Sequence, residues 1–237
     1  MKISVLTLFP EMLASLQNSP IIQHAQNKGI LTLEIVDIRR FADGSFRHLD
    51  DSPFGGGAGM ILRVEPVYRA LQSVRSEESH VVIPSPVGIP YSQKKARELA
   101  EKKDLILICG HYEGMDERIY EFCDERLSMG DYILSGGEYA AMTIADSVVR
   151  LLDGVIRKES TETESFENGL LEYPQYTKPV EFEGMKVPEV LRSGNHEAIR
   201  QFRLKESLCA TMKYRKDLLE KYELNEEEKQ ILNELKG

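Results

Sequence analysis

Glu113 and Asp116 lie in the segment CGHYEGMDERI, and Asp131 lies in SMGDYILSGGE, two glycine-broken loops between Asp104 and Met142. Acids set among glycines can meet a ligand in two ways. The carboxylate supplies charge, and residues without side-chain bulk let backbone N–H and C=O groups come close. Short apolar runs lead into these loops. Leu105-Ile106-Leu107-Ile108-Cys109 stops at Gly110, Val81-Val82-Ile83 enters Pro84-Ser85-Pro86-Val87-Gly88, and Asp131-Tyr132-Ile133-Leu134 enters Ser135-Gly136-Gly137. An unbroken apolar run of this length reads as a strand buried on both faces. In parallel α/β sheets, ligands bind beyond the carboxyl ends of the strands. Any one of these glycines can be read as turn punctuation. Three such loops together point to one composite pocket.

The elements that must position these loops follow from periodicity. Ile3 to Phe9 and Leu31 to Ile38 read as strands, and Pro10 to Lys28 between them as one helix stopped by Gly29. Pro66 to Val74 and Ser92 to Lys102 fit helices, the second capped by Ser92, and Gly136 to Leu152 fits another. Strands alternating with helices predict an α/β domain with a mainly parallel sheet. The glycine-rich stretch DDSPFGGGAGM, 50–60, has neither the lysine and serine of a P-loop nor the G-x-G-x-x-G order of a dinucleotide fold, which argues against a phosphate-gripping NTPase.

At 237 residues the chain has room for one or two domains. No apolar run approaches the roughly 20 residues of a membrane span, no secretory signal is visible, and Cys109, Cys123 and Cys209 show no C-x-x-C spacing. The expectation is a cytoplasmic protein with no metal site. The net charge of −9 argues against a polyanionic partner, but its distribution reverses the argument. Between Lys186 and Lys216 eight cations face three carboxylates, a local net charge of +5 that leaves −14 for the rest. Screening confines the relevant field to about 10 Å, so such a patch can hold phosphates on an acidic protein.

The composition changes after the helix ending at Leu152. Arg157 to Gly169, RKESTETESFENG, has no aliphatic residue and cannot order itself by burial, so it reads as a linker or lid. Tyr173 to Pro179 is extended and aromatic. A helix capped by Asn195 then puts His196, Arg200 and Arg203 on one face, and Asn225 followed by three glutamates starts a last helix.

DDSPFGGGAGM, the SPVG loop, CGHYEGMDERI, SMGDYILSGGE, MTIADSVVR, ESFENGLLEYPQYTKP and VPEVLRSGNHEAIRQFRLKESL together resemble the bacterial tRNA (guanine-N1-)-methyltransferase family, essentially end to end. The resemblance implies a parallel sheet of the SPOUT class with a deep C-terminal trefoil knot, plus a small all-α C-terminal domain. The implied divisions are a knotted methyltransferase domain at 1–157, a flexible linker or lid at 158–172 and a helical tRNA-binding domain at 173–237. Nothing in periodicity predicts a knot, since connection rules disfavour threaded loops. The resemblance also implies a homodimer whose active site is shared between chains. It would carry a methyl group from S-adenosylmethionine to N1 of the guanosine at tRNA position 37, 3′ of the anticodon.

Carried onto this sequence, the cofactor residues are Ser85, Pro86 and Gly88, then Gly110 and Glu113, then Met129, Gly130, Asp131, Tyr132, Ile133, Leu134, Gly136 and Gly137. Met129, Ile133 and Leu134 offer an apolar wall, and Glu113 a carboxylate for a cationic sulfonium. Guanine N1 is protonated at neutral pH, so it needs a base, and a cation must offset charge growing on O6. The family places an Asp before Ser-Phe and an Arg late in the preceding helix in these roles. The matching positions are Glu164 and Arg150. Glu for Asp is a departure that shifts the carboxylate's reach, and Glu162 competes for the role. tRNA would meet Tyr112 by stacking, together with Ser165, Lys178, His196, Arg200 and Arg203; packing of Tyr112 and a solvated helix face are the alternatives. His111 reads as structural rather than catalytic. Oxygen donors such as Glu113 and Glu164 are compatible with Mg²⁺, but no cluster demands it. Two other readings stay open: an RNA-binding module that has lost catalysis, and a small-molecule α/β enzyme.

Overall fold

The computed structural model describes residues 1–43, 48–161 and 163–236, apart from the side chains of Glu159 and Lys236. It divides into two compact units, Met1–Arg157 and Lys158–Gly237.

The first unit is built on five parallel strands: β1 (Lys2–Thr7), β2 (Thr32–Asp37), β3 (Ser79–Pro90), β4 (Asp104–Ile108) and β5 (Glu125–Ser128), in the order β2-β1-β4-β3-β5. The central strand β4 reads DLILI and is buried throughout, which is why its sequence does not alternate. One face of the sheet carries α1 (Pro20–Asn27), α3 (Gln93–Ala100) and α4 (Glu138–Val149) on Ile3, Val5, Leu105 and Leu107. The opposite face carries α2 (Val64–Gln72) on Leu6, Val81, Ile83 and Ile106. Asp50–Asp51 and Ile61–Leu62 pair as a short antiparallel ribbon beside the sheet.

Two expectations need correction in this unit. The single helix over Pro10 to Lys28 is instead a 3-10 turn at Pro10–Leu13, one turn at Ala14–Gln17, and α1. Pro20 has no N–H for the preceding turn, and its ring obstructs the carbonyl four residues back, so the helix restarts with Pro20 in its first position. The run Asp131 to Leu134 is not a strand. The strand is Glu125–Ser128, whose ERLS hides its apolar signal, and Ile133 is 81% exposed beyond it.

The second unit contains α5 (His196–Tyr214) and α6 (Glu226–Lys236) around Leu170, Leu208 and Leu232. Asn195 caps α5 by accepting from the Ala198 amide. The expectation of an all-α unit is also corrected, because β6 (Glu181–Phe182) and β7 (Met185–Lys186) form an antiparallel hairpin. Its two-residue connection, Glu183 at φ 49° and Gly184 at φ 80°, has the positive angles of a type I′ turn, which a Glu-Gly pair signals less strongly than Asn-Gly. Residues 163–172 take their order from the helix beside them. Leu170 is buried, Ser207 Oγ donates to the Leu171 carbonyl, and the Leu171 amide donates to Thr211 Oγ1 at 2.9 Å.

Candidate active site

The three loops meet in one cavity of about 450 Å³ at the carboxyl ends of β3, β4 and β5. Backbone hydrogen bonding stitches it together. His111 bridges Gly136, the Gly137 amide donates to the Gly110 carbonyl at 2.8 Å, and the Glu113 amide donates to the Met60 carbonyl at 3.1 Å. Gly137 must be glycine, because a Cβ there would stand 2.8 Å from Cys109 Cα and 2.9 Å from the Gly110 nitrogen. Of the expected cofactor residues, Ser85, Pro86, Gly110, Glu113, Met129, Gly130, Tyr132, Ile133, Leu134, Gly136 and Gly137 line the cavity. Tyr112 lines it too, with φ 62° and nearly half its surface exposed.

Two of the expected cofactor residues lie elsewhere. Gly88 is absent from the lining; a Cβ on it would fall 2.5 Å from the backbone of Arg126 and Leu127, so it is glycine to let β3 pass β5. Asp131 is exposed on the third loop, outside the lining. Sequence reasoning missed His111 as a wall residue, along with Tyr120, Ser128 and Ala140. Tyr120 arrives on the 3-10 turn Glu117–Phe122, which carried no periodic signal, and the Arg126 guanidinium stacks on its ring at 3.8 Å. Burial pushes its phenol above the ordinary value, partly opposed by a hydrogen bond to Ser85. Behind the loops, burial and then the Glu138 carboxylate push the Cys109 thiol well up, which leaves it a packing group.

The expected catalytic pair is divided between the units. Arg150 is the half-buried C-cap of α4. The start of that helix borders the cavity, and its length places Arg150 about 18 Å further along the axis. Glu164 and Ser165 belong to the second unit and are half-buried; Ser165 Oγ accepts from the Glu172 amide at 2.9 Å. Glu162 lies outside the described residues. In the helical unit, Lys178 and His196 are exposed and the Arg203 guanidinium lies 4.7 Å from the Tyr173 ring centre. Arg200 is engaged by Glu197 at 2.8 Å and Glu227 at 2.6 Å, which raise its pKa and offset its charge. Among the described residues no group of three or more His, Cys, Asp or Glu is arranged to hold a metal, and no helix is long and apolar enough to cross a membrane.

The family model described as tRNA (Guanine-1)-methyltransferase TrmD matches residues 1–221. The chain belongs to this family. Among relatives named tRNA (guanine-N(1)-)-methyltransferase, the one from Anoxybacillus flavithermus is 50% identical over 241 residues, covering all of this chain and 98% of its own length. Those from Streptococcus pyogenes serotype M4 and Streptococcus mutans serotype c are 48% and 50% identical, again over the whole of this chain and 98% of their own lengths. The donor that a methyltransferase of this family requires, S-adenosylmethionine, fits the cavity's chemistry. Five glycines, Gly110, Gly114, Gly130, Gly136 and Gly137, expose backbone on its walls, Met129, Ile133 and Leu134 supply apolar surface, and Glu113 supplies an exposed carboxylate.

Proposed function

We propose that this protein methylates N1 of the guanosine at position 37 of tRNA, using S-adenosylmethionine as donor. The observation that carries this reading is the convergence of three glycine loops on one cavity beyond the sheet, in a chain of the tRNA (guanine-1)-methyltransferase family. The bound cofactor supplies an electrophilic methyl group. The backbone of Gly110, Gly136 and Gly137 holds the adenosine portion, and the Glu113 carboxylate attracts its positive charge. Glu164 accepts the proton from guanine N1 and Arg150 offsets the charge that then gathers on O6. Tyr112 stacks on the base, while Ser165, Lys178, His196 and Arg203 position the anticodon arm, with Arg200 exchanging its carboxylate partners for phosphate.

The working unit in this proposal is a cytoplasmic homodimer in which one chain's linker serves the other chain's cavity. Two observations support it. Arg150 stands a helix-length from the cavity of its own chain. Tyr132, Ile133, Tyr139 and Val87 are large apolar groups exposed around the loops, surface that a second copy would cover. The proposed organisation is a trefoil-knotted cofactor domain at 1–157, a lid at 158–172 and a tRNA-gripping domain at 173–237. Mg²⁺ is compatible with the oxygen donors present, and no step is assigned to it.

Labelled adenosylmethionine and a tRNA transcript with guanosine at position 37 test this reading. Label should enter that guanosine with the wild type, fall by at least about a hundredfold with Glu164→Ala, and disappear on dilution to monomer. Cofactor and tRNA binding with no transfer would point to an inactive RNA-binding module. Transfer to a small molecule without RNA would overturn the reading.

A further inference from the structure

Two buried polar atoms converge at Gly136. A Cβ on this residue would lie 2.4 Å from Oε2 of Glu138 and 2.6 Å from Nδ1 of His111, so these atoms face each other across the glycine. Both are shielded from solvent and have no hydrogen-bond partner among the described residues. Glu138 itself is 1% exposed. A buried carboxylate oxygen without a donor is costly, and native structures rarely leave one. Its other oxygen accepts from Thr7 Oγ1 at 2.8 Å, and Thr7 Oγ1 in turn accepts from the Phe9 amide at 2.9 Å. Thr7 ends β1, His111 opens the second loop, and Glu138 begins α4, where the helix dipole favours its charge. The Phe9 ring packs on the imidazole with centres 4.7 Å apart, which limits how far the ring can turn.

We propose that Glu138 is a positioning residue for cofactor binding. It joins β1 to the second loop by accepting from Thr7 on one oxygen and from the His111 imidazole on the other, and so fixes the third glycine loop as a cavity wall. The Nδ1–H tautomer of His111 is the donor, and small rotations of two side chains close the bond. Gly136 is glycine because any Cβ would occupy the space this bond needs. Glu138 does not line the cavity, whereas Gly136, Gly137 and His111 do, so it acts through them and touches no ligand. The inference rests on the reading of the cavity as the adenosylmethionine site.

The test measures adenosylmethionine affinity by calorimetry, with kcat and cofactor KM, on full-length protein. Glu138→Ala is expected to raise Kd and KM about tenfold or more, the loss expected when one partner of a buried hydrogen bond is left behind, and to change kcat at saturation by less than about twofold. Glu138→Gln, whose amide oxygen can accept from Thr7 and whose NH₂ can donate to the other His111 tautomer, should bind within about threefold of wild type. His111→Ala should weaken binding similarly, and the double variant no further than either single change. A folded Glu138→Ala protein with wild-type affinity, a Gln variant as weak as the Ala variant, or additive losses would each overturn the inference. Should Glu138→Ala not fold, unchanged affinity in His111→Ala overturns it. A wild-type protein that does not bind adenosylmethionine overturns the cavity reading itself, a distinct outcome.

Discussion

The sheet unit buries apolar side chains on both faces of its sheet, whereas the core of the helical unit, among the described residues, has three buried leucines, Leu170, Leu208 and Leu232, with partly buried apolar residues packed against them. The two regions suit different tasks. A pocket whose walls are backbone tolerates no slippage, because its fit depends on glycines packed at closest approach, and close-packed strands hold such a geometry. A segment that must fit itself to a large RNA gains from shallow burial, since local opening costs it little. In the proposed account, holding the donor falls to the first region, and removing the proton and gripping the tRNA fall largely to the second.

The most disruptive way to break this comparison is to touch the frame. Gly88→Ala forces a Cβ to within 2.5 Å of the Arg126–Leu127 backbone, neither of which can yield without moving β5. It should abolish soluble, cofactor-binding protein, as read by expression and calorimetry. A stable Gly88→Ala protein would mean that the packing of β3 against β5 at the Pro84–Ile89 irregularity is looser than described. Leu208→Ala strikes the other region. It should destabilise the helical unit by about 2–5 kcal/mol, enough to uncouple its unfolding in a denaturant titration, while adenosylmethionine binding persists. Loss of both together would erase the distinction between the regions.

A smaller effect separates them by pH. Burial, reinforced by Glu138, raises the Cys109 thiol above its ordinary value of 9.0. The unfolded chain therefore releases this proton before the folded chain does. Stability should be unaffected below pH 9 and fall above it, by at most about 1.4 kcal/mol per pH unit from this group. Thermal midpoints should show a shallower alkaline slope in Cys109→Ala. The smallest change is Lys178→Ala, which should weaken tRNA binding severalfold and lower the salt slope by about one, with cofactor affinity unaltered.

The sequence made one region more legible than the other. β4 was readable because a strand buried on both faces shows an unbroken apolar run, and the second loop was fixed once that strand ended at Gly110. β5 was not, since ERLS carries one buried leucine and its place comes from pairing with β3 across the irregularity at Pro84 and Ile89. Gly88 was counted with the ligand-contacting glycines because sequence cannot tell close approach to a ligand from close approach to a neighbouring strand. His111 and Glu138 stand 27 positions apart and meet only when α4 folds back beside the end of β1, so no local pattern could pair them. The order of residues 163–172 was equally hidden, because its hydrogen-bond partners Ser207 and Thr211 lie some forty residues downstream.

Adenosylmethionine affinity and single-turnover methyl transfer to guanosine 37, measured side by side on Glu164→Ala, test the division of labour most directly. The account predicts a Kd within about twofold of wild type and a transfer rate lower by about 10²–10⁴-fold. Transfer at the wild-type rate, or a loss explained by weaker cofactor binding, would contradict it.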